Sequence, residues 1–206
     1  MKATQLAEDI FRIYSGGDPA DESGLELADF EDAVQSARAF KIKIDYWNSA
    51  RVEGERVINQ SWLENFDSVP VLQNATTKAY YSVLPTQVFG DLPKGRGLYL
   101  ICPIQDFTSP FMPMTIGEQW LFSTLPQDKT ISYFFDSKNV TYVRFDPDIE
   151  FVFMSYIPLN SDFIPDEVAH EISELVLNKF LKPKQVGVLL DKLTNNNPNQ
   201  VETNVG

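Results

Sequence analysis

Apolar residues recur every three or four positions toward both ends of the chain and alternate in its middle. In ATQLAEDIFRIYSGG, Leu6, Ile10 and Ile13 fall at spacings of four and three before Gly16-Gly17. That spacing predicts a short amphipathic helix ended by glycine. From Asp29, read as an N-cap, Ala33, Ala37, Phe40, Ile44 and Trp47 repeat to about residue 50, predicting a second helix whose apolar stripe can pack on a partner. Lys41 and Lys43 lie in its C-terminal half, where the helix dipole favours cations. Residues 51 to 67 are mixed, and the period then changes. VPVLQNATTKAYYSVLP reads as two short strands joined by a polar turn, LYLICPI is an apolar run, and QDFTSPFMPMTIG is punctuated by proline. EQWLFSTL fits either a strand or a single helical turn. KTISYFF and VTYVRF, separated by DSKN, predict a second hairpin, and EFVFMSYIPL a further strand rich in aromatic and branched side chains. After Pro165-Asp166, Ala169, Ile172, Val176 and Phe180 line one helical face until Lys182-Pro183. KQVGVLLDKL, with Val186, Leu189, Leu190 and Leu193, predicts a last short helix. TNNNPNQVETNVG has two valines and no aromatic residue, so it lacks the apolar surface to fold alone and is expected as an extended tail.

Helices, then strands, then helices, without βαβ alternation, predict an α+β fold: a helical bundle from the N- and C-terminal helices with a central antiparallel β region. In this reading residues 1–194 are one domain, helical over 1–56 and 164–194 and β-rich over 68–160, and residues 195–206 are the tail. A chain of 206 residues can bury roughly 70% of its unfolded surface. Hydrophobic residues at 43% argue against global disorder, while 13 prolines and 10 glycines imply many turns. No apolar run approaches a membrane span, and MKATQLAEDIF lacks the apolar centre of a signal peptide, so the chain is expected in the cytosol when made.

Charge and chemistry narrow the picture further. A net charge of −12 argues against nonspecific wrapping of DNA, which needs dense Lys and Arg to displace counterions. Residues 1 to 35 carry nine acidic side chains against Lys2 and Arg12, a solvated face or a match for a basic partner. Asp18, Asp21 and Glu22 miss the spacing of a calcium-binding loop and read as a solvated turn. Cys102 is the only cysteine and sits in an apolar run, the place of a small buried hydrophobe; His170 is the only histidine and lies among polar neighbours. One of each cannot assemble a zinc site of the usual kind, and nothing orients them as a nucleophilic pair. No G-x-S-x-G, H-E-x-x-H or kinase signature occurs, and no cofactor is expected. Acid pairs of the kind glycosidases use are numerous, but sequence alone leaves their spacing in space open.

The stretch LPKGRGLYLICP raises the question of a phosphate loop. Gly90 and Gly95 have the Walker separation, yet Arg96 and Gly97 follow where Lys and a hydroxyl are needed. GRG leads into a β-rich run, which opposes a dinucleotide loop. Proline and glycine before a strand most simply make a tight turn. Contact of Lys94 or Arg96 with a DNA phosphate stays open as a point-charge interaction.

SGGDP after the first helix, the segment VPVLQNATTKAYYSVLPTQVFGDLPKGRGLYLICPIQD, then SPFMPM and TIGEQWLF, together resemble a family of virion structural proteins of crAss-like phages, short-tailed viruses of Bacteroidota. The resemblance spans most of residues 5 to 190 and is most specific over 69 to 114. It implies a protein of the portal and tail region, a head-to-tail ring or adaptor rather than an enzyme, with no catalytic motif to carry over. Its implied partners are further copies of itself in a ring of about twelve, the number common among short-tailed adaptors, the portal, adjacent tail rings, and DNA passing through the lumen; the acidic N-terminal third and the more basic stretch from Arg38 to Arg56 are the two unlike patches a ring would need. The C-terminal segment of such adaptors reaches into the portal, which here would involve Asn195, Asn196, Asn197, Val201 and Val205. Alternatives are a cargo protein ejected with the genome and a virion-associated hydrolase using paired carboxylates.

Overall fold

The first helix, α1, runs Ala3–Tyr14 and buries Ala3, Leu6, Ala7 and Ile10. Its C-terminus closes where the sequence places the stop: Ser15 N–H donates to the Phe11 carbonyl and Gly16 takes a left-handed φ of 63°. Lys2, at the N-cap, offers no side-chain acceptor. The cap is instead borrowed from far along the chain. The Asp162 carboxylate accepts from the Thr4 amide at 3.2 Å and the Thr4 hydroxyl at 3.1 Å, and its carbonyl accepts from the Ala3 amide at 2.7 Å.

This computed structural model describes residues 1–16, 24–53, 57–93, 97–115, 118, 131–136 and 138–181, with side chains omitted for 50–53. The fold is α+β, with three helices and two sheets among the described residues. Where one domain is expected, contacts divide the chain into two compact units, Met1–Asn48 with Ser161–Gly206 and Ser49–Asn160. Each of the helical and β-rich stretches closes a core of its own. The expected last helix over KQVGVLLDKL, nearly all of EQWLFSTL and the tail 195–206 lie outside the described residues.

In the first unit, α2 spans Leu27–Glu53, longer than expected. Asp29 is not its N-cap but its third residue: its carboxylate reaches back to the Glu26 amide at 2.9 Å, as the acidic member of a capping box does. The buried face is Phe30, Ala33, Val34, Ala37, Ile42 and Tyr46. Helix α3, Asp166–Phe180, buries Val168, Ala169, Ile172, Val176 and Leu177, as its periodicity predicts. The Phe30 ring gathers the helices: Phe11 and Tyr14 of α1 lie 5.4 and 5.3 Å from it, and Phe180 of α3 4.7 Å.

The second unit is built on two sheets, β1-β8-β4 and β2-β3-β7-β6-β5. The strands are β1 Glu64–Pro70, β2 Leu72–Gln73, β3 Tyr80–Val83, β4 Leu98–Pro103, β5 Met112–Pro113, β6 Ser132–Phe135, β7 Asn139–Val143 and β8 Phe151–Tyr156. Both predicted hairpins form. The Asn74 side chain accepts from the Thr76 and Thr77 amides in the β2–β3 turn, and Asp136 accepts from Lys138 and Asn139 in the β6–β7 turn. Pairing is antiparallel with one correction, the parallel contact of β5 with β6. The sheets are stitched at both edges. Val71, between β1 and β2, donates to the Glu150 carbonyl at 2.9 Å, while Phe111 donates to Ile101 of β4 at 2.8 Å just before Met112 donates to Ile131. Between them lies one apolar interior that includes Ile101, Phe111, Val140, Val152, Met154 and Tyr156.

Three tyrosines in this unit are buried, and burial pushes their hydroxyls up: Tyr133 to about 12, with Tyr142 and Tyr156 raised too. Tyr142 donates to Ser82 at 2.9 Å and Tyr156 to the Thr86 carbonyl at 3.1 Å. Folded hydroxyls that ionise above the unfolded value of about 10 contribute stability that is intact below that pH and lost as pH rises through the folded values. Denaturant titrations should therefore show no loss from these tyrosines between neutral pH and about pH 10 and a steep fall toward pH 12, with tyrosinate absorbance from these residues appearing only as the chain unfolds.

Phe89 and Gly97, described residues on either side of the Lys94–Arg96 stretch, are both held by one residue. Phe89 N–H donates to the Ile157 carbonyl at 2.8 Å, and Ile157 N–H donates to Gly97 at 2.8 Å. A Cβ on Gly97 would stand 2.2 Å from the Phe89 carbonyl oxygen and 2.9 Å from Val88 Cγ1. Gly97→Ala should cost about 1–3 kcal/mol, read as a lower urea midpoint with unchanged slope.

Candidate interaction surface

Strand β8 shows why the β unit has a surface to offer. Alternation along FVFMSY sends Val152, Met154 and Tyr156 into the interior and turns Phe151, Phe153 and Ser155 to the opposite face. Phe153 is half-buried there and Phe151 is 41% exposed. Phe107, in the loop after β4, is 57% exposed and sets its ring edge-on to Phe153 at 5.1 Å. A strand apolar on both faces ordinarily has both faces covered. Here the second face is covered at Ser155 and Cys102 but leaves Phe151 and Phe107 partly exposed.

Carboxylates rim these rings. The register of β1 slips between Phe66 and Val69, which sets the exposed Asp67 and Ser68 opposite Phe153. Asp106 is exposed beside Phe107 in sequence, and its charge reaches Cys102, the residue paired with Phe153. The Asp106 carboxyl is held below the usual carboxylate range by the hydroxyl of Ser109 and by the hydroxyl and amide of Thr108, at 2.6, 2.6 and 2.9 Å. It therefore stays charged at neutral pH and fixes the loop that presents Phe107.

Helix α2 also has a second apolar stripe. Of the stripe read from sequence, Ala33 and Ala37 are buried, but Phe40 is 51% and Trp47 47% exposed, and Ile44 is half-buried. The core face lies to one side and includes polar groups: Arg38 is 1% exposed, and Lys41 is clasped by Asp45 at 3.0 Å and Glu171 of α3 at 2.6 Å. Burial alone would lower the Lys41 pKa, but hydrogen bonds from Glu171 and Asp45 outweigh it and raise the net value. Ionic pairing lets polar residues occupy the inner face while aromatic ones stand outside.

The residues singled out from sequence fare unevenly. Lys94, Arg96, Asn195, Asn196, Asn197, Val201 and Val205 lie outside the described residues, as do Asp18, Asp21 and Glu22. Cys102 is wholly buried on β4, and burial, with the Asp106 charge behind it, pushes its thiol up, away from nucleophile chemistry at neutral pH. His170 is exposed on α3 and belongs to the other unit. Asp106 and Asp136 are both shifted down, by hydroxyl and backbone donors within their own turns, the direction opposite to that of a general acid. No group of metal-ligating side chains occurs among the described residues. Sequence reasoning missed the Phe107–Phe151–Phe153 face, although its signal, alternate phenylalanines in EFVFMSY opposite an apolar set, was present.

No helix among the described residues is long and apolar enough to cross a membrane. The sequence matches no protein-family model and no curated protein.

If these faces serve contacts outside the fold, Phe107→Ser and Phe40→Ser should change unfolding free energy by no more than about 0.5 kcal/mol. Phe30→Ala, at the meeting point of three helices, should cost about 3–5 kcal/mol. Chemical denaturation of the three variants separates the two classes.

Proposed function

We propose that this chain is a structural protein of a phage virion, forming an oligomeric ring that connects portal to tail and lines the path by which DNA leaves. The observation that carries the reading is the second apolar face of β8, exposed in a chain whose cores are otherwise closed. Exposed aromatic surface of this kind marks contact with another macromolecule. The resemblance over residues 69 to 114 supplies the class of assembly, a ring of about twelve copies by analogy with short-tailed adaptors. A ring requires two unlike complementary patches on each subunit, and the acid-rimmed face of β8 is one candidate for such a patch.

In this reading the terminal helices make a helical bundle, supported by the convergence of Phe11, Tyr14 and Phe180 on Phe30. Residues 195–206, with Asn195, Asn196, Asn197, Val201 and Val205, order on the portal, losing their conformational entropy at binding. A net charge of −12 lets DNA slide past without adhering, while Lys94 and Arg96 remain available for scattered phosphate contacts. The protein works in the virion at the portal vertex, after assembly in the host cytoplasm, beside the portal and adjacent tail rings.

Mass photometry and electron microscopy of the purified chain, alone and with portal, test this. Rings alone or on the portal are expected, with binding to portal weakened by deletion of residues 195–206. A chain that stays monomeric in both conditions overturns the ring, and unchanged portal binding after the deletion overturns the role of the tail.

A further inference from the structure

We propose that the phenylalanine face of β8 is the docking site for residues 182–193 of a second copy of this chain. The inference rests on the ring reading and adds to it which surface of one copy receives which segment of the next.

The occupant must be apolar at its centre and basic around it. Phe107, Phe151 and Phe153 supply the apolar floor, and Asp67 and Asp106 the negative rim. Burying a second carboxylate-rich surface against that rim would be repulsive, so the face cannot be matched to itself in a two-fold pair. Within the chain, α2 carries no excess of positive charge, since Asp29, Glu31, Asp32, Asp45 and Glu53 outnumber Arg38, Lys41, Lys43 and Arg51. Arg38 is buried, and Lys41 is turned inward to Asp45 and Glu171. Residues 179 to 193 are different: Lys179, Lys182, Lys184 and Lys192 stand against the single acid Asp191. The same stretch repeats Val186, Leu189, Leu190 and Leu193 at the i, i+3, i+4, i+7 spacing by which an amphipathic helix anchors on an apolar surface. Apolar anchors match the phenylalanines, and flanking lysines match the rim. Because the two patches differ, the contact is heterologous and passes from copy to copy around a ring.

The test uses the full chain with a photo-crosslinking benzoylphenylalanine in place of the exposed Phe107, assembled as a mixture of isotopically heavy and light copies. Crosslinks to residues 182–193 that join heavy to light chains are expected. Crosslinks to that segment only within one copy, to another segment, or to none overturn the proposal. As an independent arm, Lys192→Glu should weaken self-association about fivefold, and Asp67→Lys in the same chain should restore it; no restoration counts against the pairing. Mass photometry of the same samples separates the two ideas. Oligomers with crosslinks elsewhere sink this interface and leave the ring standing, whereas monomers throughout, with and without portal, sink both.

Discussion

Strand β8 is hydrogen-bonded along both of its sides, to β1 and to β4, and the rest of the β unit is arranged around that double pairing. Its backbone groups are satisfied within the sheet, so they place no demand on solvent. The strand on one side, β1, continues through Val71 into β2 and so into the other sheet; the strand on the other side, β4, is joined to β5 through Phe111. On the second face of β8 the exposed side chains are aromatic, Phe151 on the strand itself and Phe107 set against Phe153.

Periodicity was a good guide wherever one face of an element is apolar and the other is not. Helices α1 and α3 and both hairpins were legible for that reason, down to the glycine that ends α1 and the Asn and Asp turns. Strand β1 was not legible. ENFDSVP is mostly polar, and a bulge breaks its alternation between Phe66 and Val69, so period-two reading finds nothing there. Helix α2 was found but its orientation was misread, because it has two apolar stripes. A buried Arg38 and a paired Lys41 occupy the inner side, and no hydrophobicity rule selects a face containing two cations. Of the surface singled out here, Phe151 and Phe153 were visible as an apolar strand; that Phe107 joins them depends on a loop conformation set by Asp106, Thr108 and Ser109.

An exposed phenylalanine contributes little to the isolated chain and favours association, so Phe40, Phe107 and Phe151 suit the assembly proposed above. Rim carboxylates then restrict which partner can approach, since like charge is repelled before apolar surfaces meet. Stability is supplied by the interior, and selectivity by the surface.

Asp162 caps its helix through Thr4, 158 residues before it in the chain. The helical unit is therefore split in sequence, with the whole of Ser49–Asn160 inserted between its two parts. During translation the inserted β unit is complete while α1 and α2 still lack α3 and lack the carboxylate that tethers the first turn of α1. The ribosome thus releases a finished β module attached to an unfinished helical one, and the latter closes only when the final segment has emerged.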